Sequence, residues 1–224
     1  MASLAPRQLK IGTIIDKTLG VIEHNTRTVL LYVLVLSAIN AAITYFSVTE
    51  LGPTQQMGVE VVKFAIGISA AYVLLEAMLS KTGLRARTAG DVFFPYLGLS
   101  IVYGLGVMVG FILVILPGLL IMARWIIAQP MLVARGGGIM ASLGESWERT
   151  RGSEFQIIAA ALALLVLLIA VIIAAGALFE QADPIGIVVA QLATSATSVV
   201  SLAMGVALYG LIAGGTGAEA LPAR

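Results

Sequence analysis

Four ionisable residues lie inside long apolar runs of this sequence: Glu60, Lys63, Glu76 and Arg124. Charge in hydrocarbon is costly, so such groups normally face a bundle interior or a water-filled cavity. Polar residues accompany them. Ser37, Asn40, Thr44 and Ser47 recur at steps of three and four, which makes one helical stripe. Gln191, Thr194, Ser195 and Ser198 gather in the last run. One chemistry this set can perform is to hold a lipid headgroup or small anion in a polar crevice, with Lys63 and Arg124 as the cations and Glu60, Thr44, Ser47 and Gln191 around them. The alternative is structural: Glu60 pairs with Lys63 or Arg124, and the hydroxyls link helices at about 0.6 kcal/mol each. The sequence favours this second account, because glutamate and lysine near an interface often only snorkel.

Other chemistries are absent from the sequence. It has no cysteine, which excludes thiol catalysis and iron–sulfur ligation, and one histidine, His24, too few for a histidine metal site or a triad. No HExxH, GxSxG, GxxxxGK[ST] or paired-carboxylate motif occurs, and no cofactor motif. Gly214-Gly215-Thr216-Gly217 lacks a lysine and a following helix, so it is not a phosphate loop. A net charge of +1 gives no field for nucleic acid. The expected partners are membrane lipids, with a second copy or another membrane protein as further candidates.

The elements that position these residues follow from composition. Of 224 residues 59% are hydrophobic and only 11% charged, less than half the usual charge of a soluble domain. Mean hydropathy is +1.03. The chain reads as an all-α polytopic membrane protein with six transmembrane helices, near 28–48, 58–79, 92–116, 119–134, 155–179 and 185–213. Residues 1–27 form an N-terminal interfacial amphipathic helix, 28–213 the transmembrane domain, and 214–224 a flexible tail. The first apolar run starts near Val29 and is too long for a cleavable signal, so it reads as an anchor. The fourth span is the shortest: 16 helical residues reach only about 24 Å. Before it, Leu116-Pro117-Gly118-Leu119 predicts a type II turn closing a tight hairpin, which is either sunk below the surface or part of a re-entrant segment. From that turn Arg124 is about 8 Å down, level with Glu60 and Lys63. Glu76 is too far away to join them, and Lys81 or the basic amphipathic helices are its expected partners.

Two stretches are amphipathic. In 8–24, Ile11, Ile14, Ile15, Leu19 and Ile22 share a face, and Lys10, Lys17 and His24 share an edge suited to anionic lipid. In 139–151, Ile139, Met140, Leu143 and Trp147 share a face and Glu145 pairs with Arg149 opposite, after a Gly136-Gly137-Gly138 joint. Basic residues fix the orientation. Arg7, Lys10, Lys17, Arg27, Lys81, Arg85, Arg87, Arg135, Arg149, Arg151 and Arg224 all fall on one side of a six-span chain, while Glu50, Glu180 and Asp183 fall on the other. Both termini are expected in the cytoplasm and the spans in the inner (plasma) membrane. Gly106 and Gly110 make a GxxxG that suits packing within the monomer better than a dimer face. Thr197, Ser201 and Gly205 repeat small residues in the last span. Pro130 is expected to kink the fourth span, with Gln129 meeting a freed backbone group. Trp125 and Trp147 are expected to anchor at the interface, and His24 to be an interfacial side chain rather than a pH sensor.

Two segments also carry a family likeness. Leu116-Pro117-Gly118, Arg124-Trp125, Ala128-Gln129-Pro130 and Val133 form one; Ala141 to Glu148 with Ser146-Trp147, then Thr150-Arg151-Gly152, form the other. Together with Ile11-Gly12 and Ile15-Asp16-Lys17, they resemble the glycerophosphoryl diester phosphodiesterase membrane domain family. The resemblance implies a multi-pass helical domain and gives weight to Pro117, Gly118, Arg124, Trp125, Pro130, Ser146, Trp147 and Gly152 as structural motif residues. Arg124 would then fix the hairpin, and Trp147 would seat the second amphipathic helix. The His, Glu and Asp of the phosphodiesterase barrel have no counterpart here, so no activity comes with the likeness. Ala134-Arg135 stand where the family pattern leads one to expect an acid. The function expected from the sequence is a non-catalytic accessory or lipid-contacting module, the alternative a transporter or lipid flippase using the outer-half crevice.

Overall fold

The computed structural model describes residues 9–86, 90–178 and 183–213. The terminal calls on Arg7, Arg224 and 214–224 lie outside these residues, as do Arg87 and Glu180. The described residues are helical, with no strand: α1 (Ile11–His24), α2 (Thr26–Glu50), α3 (Pro53–Lys81), α4 (Phe93–Leu113), α5 (Ile115–Trp125), α6 (Ala128–Arg135), α7 (Ile139–Arg149), α8 (Glu154–Leu178) and α9 (Pro184–Ala213). Five stretches are long and apolar enough to cross a membrane: Thr26–Val48, Gln55–Lys81, Phe93–Leu113, Ile115–Arg135 and Pro184–Ile212. The fourth joins α5 and α6 across a break. α8 is 25 residues long and begins with the apolar stretch Glu154–Val166.

The helices pack unevenly along their length. Lys81 Nζ donates to Thr28 Oγ1 (3.0 Å), so the end of α3 meets the start of α2. Arg135 lies over the Tyr209 ring (5.5 Å) and pairs with Glu145, which also binds Arg149. This is the basic end. Around it the interior is closed: Leu74, Leu75, Met78 and Leu79 of α3, Ile127–Ala134 and Ala203–Tyr209 are nearly all sealed from solvent. Toward the far end the same helices expose Leu34, Val35, Phe46, Val61 and Phe64, an apolar surface suited to lipid.

α1 packs on α8 and α9 through Ile14, Thr18 and Val21. The expected face is thus rotated. Ile11 and Leu19 are exposed, and Thr18 is buried because its hydroxyl donates to Ile14 O (2.7 Å). His24 is exposed.

α4 takes an unexpected course. Ser37 donates to Ser195 (2.9 Å), which sets α2 and α9 level. Ten residues further toward the basic end, about 15 Å, α2 reaches Arg27 and α9 reaches Gly205. Gly205 faces the carbonyl of Ile126. Tyr96 stacks on Tyr72, nine residues before Lys81 and so well above the basic end, yet Gly106 packs on Trp125, beside Ile126. Val92 meets Gly136, Ser100 accepts from the Gln129 amide and Gly106 meets Trp125, so α4 lies antiparallel along α6 and then α5.

The hairpin turn also differs from the expected one. The reversal is at Val114 (φ −165°, ψ 151°); Pro117 and Gly118 lie in the first turn of α5, where a missing N–H costs nothing. Gly118 is needed for closeness instead. A Cβ there would meet the Phe111 ring at 2.6 Å, and one on Gly110 would meet Gly118 Cα at 2.8 Å. The GxxxG of α4 thus packs against the chain's own α5. From Ile112 to Leu116 every residue is apolar and 58–75% exposed.

A tip of this kind belongs in hydrocarbon. The chain has no native cysteine, so single-cysteine variants read position cleanly. Val114→Cys is expected to resist membrane-impermeant maleimide added from either side, while Lys81→Cys and Asp183→Cys react from opposite sides. Labelling of Val114→Cys at the Asp183 side would show the tip reaching water.

Candidate functional site

Two polar constellations exist, and the expected site is divided between them. The first is the break between α5 and α6. Pro130 has no N–H to give Ile126 O, so the helix cannot run through. The Arg124 carbonyl accepts the Ser146 hydroxyl of α7 at 2.7 Å, and the Thr150 hydroxyl just after α7 lies 3.1 Å away, sharing its proton with Ser146 O at 2.8 Å. Both donors are fully buried. The Arg124 guanidinium donates to Trp147 O (2.9 Å), pairs with Glu154 and sits 5.1 Å from the Trp147 ring centroid. Trp147 also meets Trp125 edge-on at 6.5 Å. Gly152 (φ 82°) makes the left-handed turn that leads from α7 to Glu154.

Arg124 is therefore not level with Glu60 and Lys63. The expected depth was counted from a turn at the surface, and the hairpin has none there. Trp147 is an internal contact rather than a surface anchor. The buried face of α7 is Ser142, Leu143, Ser146 and Thr150, and Met140 is exposed. Gln129 does not serve a backbone group; its side-chain amide donates to Ser100 Oγ (3.2 Å). Glu76 pairs with Arg85 in the loop after α3, not with Lys81.

The second constellation is a crevice of about 730 Å³. α2 stands behind it with Tyr32, Leu36 and Asn40; α3 flanks it with Glu60, Lys63 and Gly67; α9 flanks it with Gln191 to Ser201. Tyr96, Ser100 and Gln129 form the inner end, toward the packed basic half. Thr194 and Ser201 are exposed although they line it, so one side is open. Lys63 pairs with Glu60 at 2.9 Å; the lysine side chain is 19% exposed and the glutamate 68%. Cation inside, carboxylate at the mouth is the arrangement.

Three of the six expected site residues, Glu60, Lys63 and Gln191, line this crevice. Thr44 and Ser47 do not. Thr44 Oγ1 accepts from the Gln191 amide (3.3 Å) and so helps to seam α2 to α9, while Ser47 Oγ donates to Thr44 O (2.9 Å) within α2. The inner-end residues Tyr32, Tyr96, Ser100 and Gln129 were missed. Tyr32 sits in the first apolar run, Tyr96 and Ser100 in the third and Gln129 in the fourth, and only the packing of α2, α4 and α6 brings them together. A smaller cavity of about 50 Å³ continues inward, between Tyr103, Ile126, Gln129, Pro130, Ser201 and Gly205. No group of three or more metal-ligating side chains occurs among the described residues.

No protein-family model, curated protein or solved structure matches this chain.

The carbonyl seam makes a stability prediction. Ser146→Ala should cost about 1 kcal/mol, and Ser146→Ala with Thr150→Ala about 2 kcal/mol, because the buried Arg124 carbonyl then loses its partners. Thermal melting in detergent reads this as stepwise loss. An unchanged melting temperature in the double variant would remove the seam from the account.

Proposed function

We propose that this chain is a non-catalytic integral membrane protein that contacts lipid through the crevice, as an accessory module. The observation that carries the reading is the crevice's position and shape: polar walls with one lysine, set among exposed apolar helix faces, open at one side and closed at the inner end. Polar lining at membrane depth is tolerated where it faces a cavity, and such cavities are where ligands bind. A volume of about 730 Å³ lies within the range of small-molecule sites. In this reading the basic end, with Lys81, Arg85, Arg135 and Arg149, faces the cytoplasm by the positive-inside rule, so the crevice opens in the outer half of the inner membrane. In this reading α2, α3, α8 and α9 cross fully, and α4 and α5 form a hairpin that enters and leaves on the basic side. The likeness to the glycerophosphoryl diester phosphodiesterase membrane domain family is part of the proposal. It is supported by the direct contact of its two motif segments at Arg124, Ser146 and Trp147.

One observation favours a second reading, as a transporter or flippase. The small cavity below the crevice reaches the α5–α6 break, and broken helices beside cavities are where transporters bind and move. The tight packing of Leu74–Leu79 and Ala203–Tyr209 across that path argues for binding without passage.

Two measurements test the choice. Ser198→Trp places an indole in the crevice and should abolish lipid retained by the purified chain in native mass spectrometry. Labelled lipid in proteoliposomes should exchange between leaflets no faster than in protein-free vesicles. Retention unchanged by Ser198→Trp would overturn the crevice reading, and accelerated exchange would replace it with transport.

A further inference from the structure

This inference rests on the lipid-contacting reading and names the lipid. We infer that the crevice and an apolar trough beside it form one two-part site for a zwitterionic phospholipid. The phosphate lies at Lys63, the terminal ammonium lies deeper among hydroxyl oxygens, and an acyl chain follows α3.

Charge selects the head. Among the described residues, Lys63 and Glu60 are the only charged side chains on the crevice wall, and they cancel. A zwitterionic head leaves the site neutral. An anionic head leaves one uncompensated charge where water is scarce. The pair is also easy to open. It is an i,i+3 contact whose carboxylate is mostly exposed, a class that contributes little. A phosphate can therefore take a place on the lysine while Glu60 keeps water.

The inner wall suits an ammonium. Thr194, Thr197 and Ser198 each donate to a carbonyl of their own helix, Ala190 O at 2.9 Å, Ala193 O at 2.9 Å and Thr194 O at 3.2 Å. Their protons are turned away, so the oxygens of Thr194 and Thr197 remain as acceptors along the crevice, while Ser198 also bonds the Tyr32 side chain. Tyr32 and Tyr96 line the same inner end, and aromatic rings attract ammonium groups. No carboxylate or second cation lies there to alter the match.

The trough supplies the chain. Gln56, Met57, Glu60, Val61 and Phe64 line an open groove of about 530 Å³ on the outer face of α3. Glu60 and Phe64 belong to both groove and crevice. Met57, Val61 and Phe64 are exposed and lie on one side of the helix at steps of four and three. A lipid whose chain lies there presents its phosphate at the crevice mouth and its ammonium inward. The order of groups along the lipid thus matches the order of groups along the site.

The test uses the full chain in nanodiscs of phosphatidylethanolamine and phosphatidylglycerol in equal amounts, with native mass spectrometry of what stays bound. Phosphatidylethanolamine is expected to exceed phosphatidylglycerol about ten-fold, the ratio that one modest charge mismatch gives. Glu60→Gln makes the site positive and should bring the ratio to one or reverse it. Lys63→Gln should lower retained phosphatidylethanolamine about ten-fold. Free glycerophosphoethanolamine at the lipid's concentration should displace little, since it lacks the chain. Equal retention of the two lipids by the unsubstituted chain overturns the inference, as does a ratio that Glu60→Gln leaves unmoved. Full displacement by the free head overturns the two-part site. Should Lys63→Gln fail to fold, Glu60→Gln decides alone, because the Glu60 side chain is mostly exposed. Lipid retained without preference sinks only this inference, whereas no retained lipid sinks the lipid-contacting reading as well.

Discussion

The carbonyl of Arg124 is the point on which the basic half of the molecule depends. A helix that breaks in an apolar setting leaves backbone groups without partners, each costing of order a kcal/mol or more. Pro130 forces the break, and the chain answers with α7. Ser146 and Thr150, four residues apart and hence on one face, bring their hydroxyls to one oxygen, Ser146 donating at 2.7 Å and Thr150 sharing its proton with Ser146 O. The same arginine then holds α7 by the Trp147 carbonyl and the start of α8 by Glu154. One residue thus serves three helices, with its backbone on one side and its side chain on the other. Gly205 adds the last condition, since a side chain there would press on Ile126 O at 3.1 Å.

That seam explains why the two halves differ. α4 packs on α3, α5, α6 and α7, and α7 packs on α5 and α6, so these helices add their bulk near the basic end. There, Ile127 to Ala134 and Ala203 to Tyr209 are enclosed on all sides. Beyond it, α2, α3 and α9 stand without a fourth wall. The polarity of the crevice follows from the same cause. Ser195 and Ser198 are helix residues whose hydroxyls bond within the bundle, so they are tolerated with or without a ligand.

Much of this was legible in the sequence. Apolar runs gave the helices, and α1 and α7 could be read from their periodicity. Glu60, Lys63 and Gln191 could be placed in the outer half because residue counting works along upright helices. Counting failed for Arg124, and the failure has a physical origin. Depth was measured from Pro117-Gly118 as though the turn stood at the surface, but no polar residue occurs from Leu105 to Ala123 to hold it there. Proline and glycine signal a turn in water-facing chain; in an apolar run they serve equally as a first-turn proline and a close-contact glycine. Thr18 shows the same limit on a smaller scale. A threonine counts as polar until its hydroxyl is satisfied by Ile14 O, after which it packs like valine.

The sparseness of charge acquires a different meaning from this arrangement. Arg124, Glu76, Lys63 and Glu60 are each paired, and two of the three pairings are local: Glu60 with Lys63 on one helix, and Glu76 with Arg85 just after it. Arg124 alone reaches across to another element for its acid, Glu154. It is buried by its neighbours and held by several bonds at once, so exchanging its partner would break a seam. The Lys63 pair is held by a single contact with an exposed carboxylate. Both are ion pairs in an apolar chain, yet only the second can open without disturbing the fold. A site that must exchange ligands needs that kind of pair, and the crevice is built around it.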